Sequence, residues 1–168
     1  GNIGSAQSVE TIIRAAKFFK GENVRFHIIG DGSSLEDCKK LAAEENVENV
    51  IFYGRKPVEE MPDFYKMSDA MLVTLSDDPL ISLTLPGKVQ SYMAAGKPIL
   101  GAINGETPEI INDAKCGFCA AAQDSEGLAN CIREFLKSDK TELGENAYRY
   151  YDEHFRKEKF MERLCAEL

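Results

Sequence analysis

Five short apolar runs, each separated from the next by a helical pattern, constrain this chain more than any other feature. They are VRFHII from Val24 to Ile29, VIFY from Val50, AMLVTL from Ala70, PILGAI from Pro98 and FCAA from Phe118. Each has the length of a strand and is apolar nearly throughout, as expected of a strand buried on both faces. Such strands, linked by helices, form a parallel sheet covered on both sides. The expected fold class is α/β, a doubly wound parallel sheet.

The intervening segments carry helical spacing. Val9, Ile12, Ile13, Ala16 and Phe19 recur on one face ahead of Gly21, a helix stop. Ser33 and Glu36 form a capping-box pattern before Leu35, Cys38, Leu41 and Ala42. Further helices are expected through Met61 and Tyr65, from Pro86 to Gly96, and around Ile110. Beyond Asp124 only helix is expected, with Leu128, Cys131, Ile132, Phe135 and Leu136 on one stripe, then Tyr148 to His154 and Phe160 to Leu164. The opening GNIGSAQ has the composition of a loop that follows a strand, so residues 1–168 read as one domain of a larger chain.

With 168 residues, 43% of them hydrophobic, the chain suits one domain with a sizeable core. Its net charge of -8 argues against nucleic acid or an anionic membrane as main partner, since both select basic surfaces. Any anion site is therefore local. The apolar runs are too short to span a bilayer and no leader pattern precedes them, which predicts a cytoplasmic protein without a transmembrane segment. Five cysteines, an odd count with Cys38, Cys131 and Cys165 on helical patterns, predict reduced thiols rather than a disulfide framework.

In open parallel sheets ligands bind beyond the carboxyl ends of the strands. Four loops lie there: Gly1 to Gln7, Gly30 to Ser34, Gly54 to Pro57, and Ser76 to Lys88. In the first, Asn2, Ile3 and Gly4 bring backbone amides to a helix start that can hold phosphate, or form an ordinary tight turn. Arg55 and Lys56 put two cations on the same rim, or are simply solvated. Lys88 is more pointed, because it sits on a helix's first turn, where a cation is unfavourable without an anion beside it, or it is a solvated lysine whose repulsion of about 0.3–1 kcal/mol is small enough to tolerate. Pro86 suits that helix start, and Gly87 leaves room for a ligand. The pair Cys116 and Cys119 lacks a second ligand pair, so metal and redox readings are disfavoured. His27 and His154 suit core or surface roles. No Walker loop, HExxH or Ser/His/Asp constellation is present, and the GDG at Gly30 lacks the rest of a GxGxxG.

In order, GNIG at Gly1, IIGDG at Ile28, VIFYG at Val50, SDAMLVTL at Ser68 and PGKVQSYMAAGKPIL at Pro86 resemble the donor-binding half of a GT-B glycosyltransferase of the family 4, or glycosyl transferases group 1, type. The resemblance spans essentially the whole chain and is closest to the branch that builds capsular and O-antigen polysaccharides. It implies a Rossmann-like domain forming one half of a GT-B fold, with a nucleotide-diphosphate sugar, UDP-linked, as donor substrate and no cofactor or metal. It places the diphosphate against Asn2, Ile3 and Gly4 and against the helix start at Leu85, Gly87 and Lys88. The base falls near Arg55 and Lys56, and the ribose at Ser91. The family's two glutamates are replaced here by Leu83 and Ser91, and Asn2 and Gln7 stand where its basic pair is usual, so Lys88 is the cation left to carry the site.

The resemblance further implies transfer to a polysaccharide or lipid-linked acceptor with retention at the anomeric carbon. It implies an N-terminal acceptor domain as partner, with Tyr148, Tyr150, Tyr151 and Phe155 packing across it, and peripheral membrane association of the full-length protein. No catalytic side chain is then expected in this chain, and no turnover by it alone. Two alternatives are a non-catalytic nucleotide-binding or interaction module, since fold does not fix function, and half of a sugar-nucleotide epimerase, which would need crevice carboxylates or histidines.

Overall fold

The computed structural model describes residues 1–79 and 85–156. Leu83, Cys165 and the helix expected from Phe160 to Leu164 lie outside that range. Helix α1 (Val9–Ala16) leads into β1 (Phe26–Ile29), α2 (Leu35–Glu44), β2 (Val50–Gly54), α3 (Met61–Met67) and β3 (Met71–Thr74). Then come α4 (Gly87–Ala94), β4 (Ile99–Ala102), α5 (Glu106–Ala114), β5 (Gly117–Ala120), α6 (Ser125–Lys137) and α7 (Lys140–His154). All five expected strands form, each shorter than or close to its apolar run.

Every pairing is parallel, as the unbroken apolar runs require. Phe26 sits opposite Val50, Met71 opposite Ile99, and Ile99 opposite Gly117. The described strands do not close into one sheet: β1 pairs with β2, β3 with β4 and β4 with β5, but β1 and β3 do not pair with each other. A gap separates the two halves, and helices cover both.

Three apolar clusters hold the layers together. One packs Ile12, Phe19, Phe26, Leu100, Leu128 and Phe135, joining α1 and α6 across both halves. A second gathers Val73, Val89, Met93, Ile99, Ile111 and Cys116 around β3, β4, α4 and α5. The third seats Ile3, Val9, Ile13, Ile28 and Leu35 around β1. At about 1.5–3 kcal/mol for each fully buried aliphatic or aromatic side chain, these clusters are the main term opposing chain entropy.

Local corrections follow from loop contacts. The capping box at Ser33 and Glu36 does not form: α2 starts after Ser34 with no side-chain cap, and the Ser34 amide donates to the Ile3 carbonyl at 2.9 Å. Pro86 is the residue before α4 rather than its first, with extended backbone (φ -61°, ψ 128°). The helix expected from Tyr148 begins earlier, at Lys140, where the Asp139 carboxylate accepts from the amides of Thr141 and Glu142. Tyr150, Tyr151 and Phe155 pack on the second cluster of this domain itself, while Tyr148 is half exposed.

Candidate functional site

The carboxyl ends of β1, β2 and β3 all lie on one rim, and loop Gly1–Gln7 is threaded between them. Its Ile3 amide donates to Asp31 O at 2.9 Å. Ser76 donates its amide to Ala6 O at 2.9 Å, and the Thr74 hydroxyl donates to Gln7 O at 2.6 Å. The Gln7 side chain folds back: its Oε1 accepts from the Gly4 amide at 3.1 Å and from Asn2 Nδ2 at 3.0 Å. The loop is thus tied at both sides before any ligand arrives.

This tying depends on the GDG turn. A Cβ on Gly30 would fall 1.8 Å from Gly1 O, and one on Gly32 would fall 2.4 Å from Ile3 O, so both glycines are there to let two backbones pass. Their motif serves packing.

Lys88 enters the site from the other side. It stands second in α4 with its side chain half-buried, and its Nζ lies 4.0 Å from where a Cβ on Gly1 would be. Burial pushes its pKa below the ordinary 10.5. The Gly1 amine is likewise lowered, first by burial and then by the Lys88 charge. Among the described residues no carboxylate pairs with Lys88. A half-buried ammonium on a helix's first turn is a standing electrostatic cost that an anion would remove.

Beside it the surface is open. Nothing lies within 4 Å of a Cβ built on Gly87, whose amide, with that of Lys88, belongs to a first turn that has no intrahelical acceptor to offer. A cavity of about 600 Å³ reaches this point: Gly1, Asn2, Gln7, Thr74, Lys88 and Tyr92 line it together with residues of β1 and β3, between which the rest of it runs.

The other expected residues divide. Ile3 is buried in the β1 cluster, so its side chain is unavailable and its amide is already bonded. The Gly4 amide is taken by Gln7. Leu85 packs on the second cluster. Arg55 is exposed beyond the carboxyl end of β2, outside the cleft lining, and Lys56 pairs with Glu60 at 3.8 Å. Ser91 is exposed, one turn along α4 from Lys88, with its hydroxyl donating to Gly87 O at 3.4 Å. The structure brings Asn2 and Lys88 to the lining of one cavity and places Arg55, Lys56 and Ser91 outside it.

Two groups in this neighbourhood are not among the residues expected from sequence. Gln7 braces the loop, a role invisible without the fold. Tyr92 lines the cleft with its ring edge-on to Tyr65 at 5.7 Å between centroids, and burial raises its phenol pKa. Its spacing of one helical turn from Lys88 was a legible signal. The thiols lie elsewhere: burial holds Cys116 and Cys119 protonated, each with a pKa pushed up to about 12.

Among the described residues no helix is long and apolar enough to cross a membrane. The chain is 34% identical over 146 residues to the probable glycosyltransferase WbjE of Pseudomonas aeruginosa, a match covering 86% of this chain and 36% of that protein. It is 27% identical over 164 residues to the N-acetyl-alpha-D-glucosaminyl L-malate synthase of Bacillus anthracis, covering 95% and 41%. The chain thus spans well under half the length of these relatives. Among solved structures it superposes on Anabaena HepE in complex with UDP with a TM-score of 0.82 at 18% identity, covering 99% of this chain and 47% of that one. The solved C-terminal domain of a glycosyl transferase group 1 protein from Francisella tularensis gives 0.77 at 19% identity, covering 94% and 84%. These structures share its Rossmann-like α/β fold, that of GT-B glycosyltransferases. The family model described as glycosyl transferases group 1 matches residues 1–150, and the chain belongs to that family.

Proposed function

We propose that this domain binds the nucleotide-diphosphate sugar donor of a glycosyltransferase, with the diphosphate held between Lys88 and the first-turn amides of Gly87 and Lys88 on one side and the Asn2–Gly4 loop on the other. The observation that carries this reading is Lys88 itself, a half-buried cation without a carboxylate partner among the described residues, set at an open helix start. Transfer breaks the bond between the anomeric carbon and the diphosphate oxygen, and negative charge develops on the departing diphosphate. Amides and a cation already aimed there stabilise it without having to reorganise. Arg55 and Lys56 stand beyond β2 for the base, and Ser91, one turn along α4 from Lys88, offers a hydroxyl for the ribose.

HepE and the Staphylococcus aureus protein TarM were both solved with UDP, which supports UDP as the base carrier. WcaI of Escherichia coli, 30% identical over 96 residues, is described as a putative colanic acid biosynthesis glycosyl transferase, which supports an exopolysaccharide or lipid-linked acceptor. The acceptor and the groups that act on it belong to a second domain, so this chain alone should not turn over.

Titration calorimetry with UDP, GDP and ADP, on the wild type and Lys88→Ala, tests the reading. UDP should bind, and the variant should lose about ten-fold or more, the worth of a charged hydrogen bond. Binding of none of the three, or equal binding by the variant, would overturn it.

A further inference from the structure

The turns that follow β3, β4 and β5 are tied to one another by side chains. Asn104, in the turn after β4, donates through Nδ2 to the Asp77 carboxylate at 2.9 Å and accepts through Oδ1 from the Ala122 amide at 3.0 Å. A backbone amide can only donate, so Oδ1 faces Ala122 and the NH2 group faces Asp77. The amide of Asp77 donates in turn to Gln123 Oε1 at 3.4 Å. Gln123 holds a left-handed backbone (φ 63°) on an exposed turn, a conformation that costs a non-glycine residue free energy and that no burial of its side chain explains. Two side-chain amides, from two different turns, thus grip one residue.

That residue ends the stretch that holds the first loop. The Ser76 amide donates to Ala6 O at 2.9 Å, and the Thr74 hydroxyl donates to Gln7 O at 2.6 Å. Gln7 Oε1 then accepts from Gly4 N and Asn2 Nδ2. Among the described residues the last backbone rung from this stretch to β4 is Leu75 N to Ala102 O at 3.3 Å. Past that rung, side chains take over. A continuous path of hydrogen bonds and short chain segments runs from Ala122 through Asn104 and Asp77 to Gln7, Asn2 and Gly4.

We infer that Asn104 is a positioning residue for the anion site: it fixes Asp77 and, through Ser76 and Thr74, the loop that walls the diphosphate seat opposite Lys88. This inference rests on the donor-binding reading. A wall held in place stabilises charge without reorganising, whereas one that shifts loses part of its affinity for an anion bonded at several points. The role calls for an amide, because one side chain must donate to a carboxylate and accept from a backbone N–H at once, which a carboxylate cannot do.

The test uses titration calorimetry with UDP, calorimetric Tm and amide exchange by NMR. In Asn104→Asp two carboxylates meet at Asp77, so UDP affinity should fall about three-fold or more and exchange of the Gly4 amide should quicken. Adding Asp77→Asn reverses the polarity of the contact, with an amide again donating to a carboxylate, and should restore both. Val47→Ala, a cavity-making change in the first apolar cluster ahead of β2, should lower Tm by at least as much and leave UDP affinity unchanged, which separates positioning from loss of stability. Full affinity in Asn104→Asp, no recovery in the double variant, or an equal affinity loss in Val47→Ala would overturn the inference. Failure of the wild type to bind UDP would instead overturn the donor-binding reading. The hold of Asn104 on the loop is then decided by Gly4 exchange alone: unchanged exchange in Asn104→Asp overturns it, and faster exchange reversed by Asp77→Asn upholds it.

Discussion

Two glycine-containing starts flank the cleft, GNIG at Gly1 and PGK at Pro86, and they behave differently. In the first, the amides of Ile3 and Gly4 are already bonded to Asp31 and Gln7, and the glycines of the neighbouring GDG turn make room for that loop rather than for a ligand. In the second, the space over Gly87 is open and Lys88 has no carboxylate partner among the described residues. The first is a finished wall and the second is an unsatisfied one. Glycine alone does not distinguish them; what distinguishes them is whether another backbone occupies the space that the missing side chain leaves.

The largest effect expected from this contrast is on stability. Gly32→Ala places a methyl 2.4 Å from Ile3 O, a backbone atom that cannot swing aside, and should cost at least about 2 kcal/mol, a fall of roughly 4–8 °C in Tm by calorimetry. Gly87→Ala should leave Tm nearly unchanged. Comparable losses from the two changes would break the distinction.

Next comes charge. Lys88→Met keeps the stem and removes the ammonium, so UDP affinity should drop about ten-fold or more while Tm at neutral pH does not fall, since a half-buried charge without a carboxylate partner among the described residues is gone. The pH dependence has a definite sign. Burial lowers the pKa of Lys88, so the folded state gives up this proton below pH 10.5, before the unfolded chain does. Over that window stability contributed by this group rises with pH, whereas affinity for a diphosphate falls. Lys88→Arg, which does not titrate, should hold its affinity over the same range. An unchanged pH profile in that variant would show that another group governs binding.

Gln7→Ala removes the acceptor shared by Asn2 and Gly4 and should cost about 1 kcal/mol, or roughly 2–4 °C in Tm, with a weaker effect on affinity than Lys88→Met. Ser91→Ala loses one long hydroxyl bond on an exposed helix face and should shift Tm by under about 2 °C. A larger affinity loss from Ser91→Ala than from Lys88→Met would move the centre of the site outward along α4.

Much of the fold was legible because its signals are local. Unbroken runs such as VRFHII and PILGAI announce strands buried on both faces, and the Leu128 to Leu136 stripe announces α6. Lys88 was legible for the same reason, its oddity being defined by its own first turn. What the sequence missed involves distant partners. The Ser34 amide donates to the Ile3 carbonyl, and the Ile3 side chain joins the cluster around β1. No spacing along the chain reveals such contacts.

The sequence by itself determined that this is a parallel α/β domain of the glycosyl transferases group 1 family with one anomalous cation at a helix start. Hydrophobic period and helix-end chemistry are properties of a few adjacent residues, and they survive whatever the rest of the chain does. Which glycines pack and which stay open, and that Gln7 braces the first loop, came from the assembled fold. Those outcomes depend on which backbone arrives within a few ångströms of which other, and that is set by the folding of the whole chain.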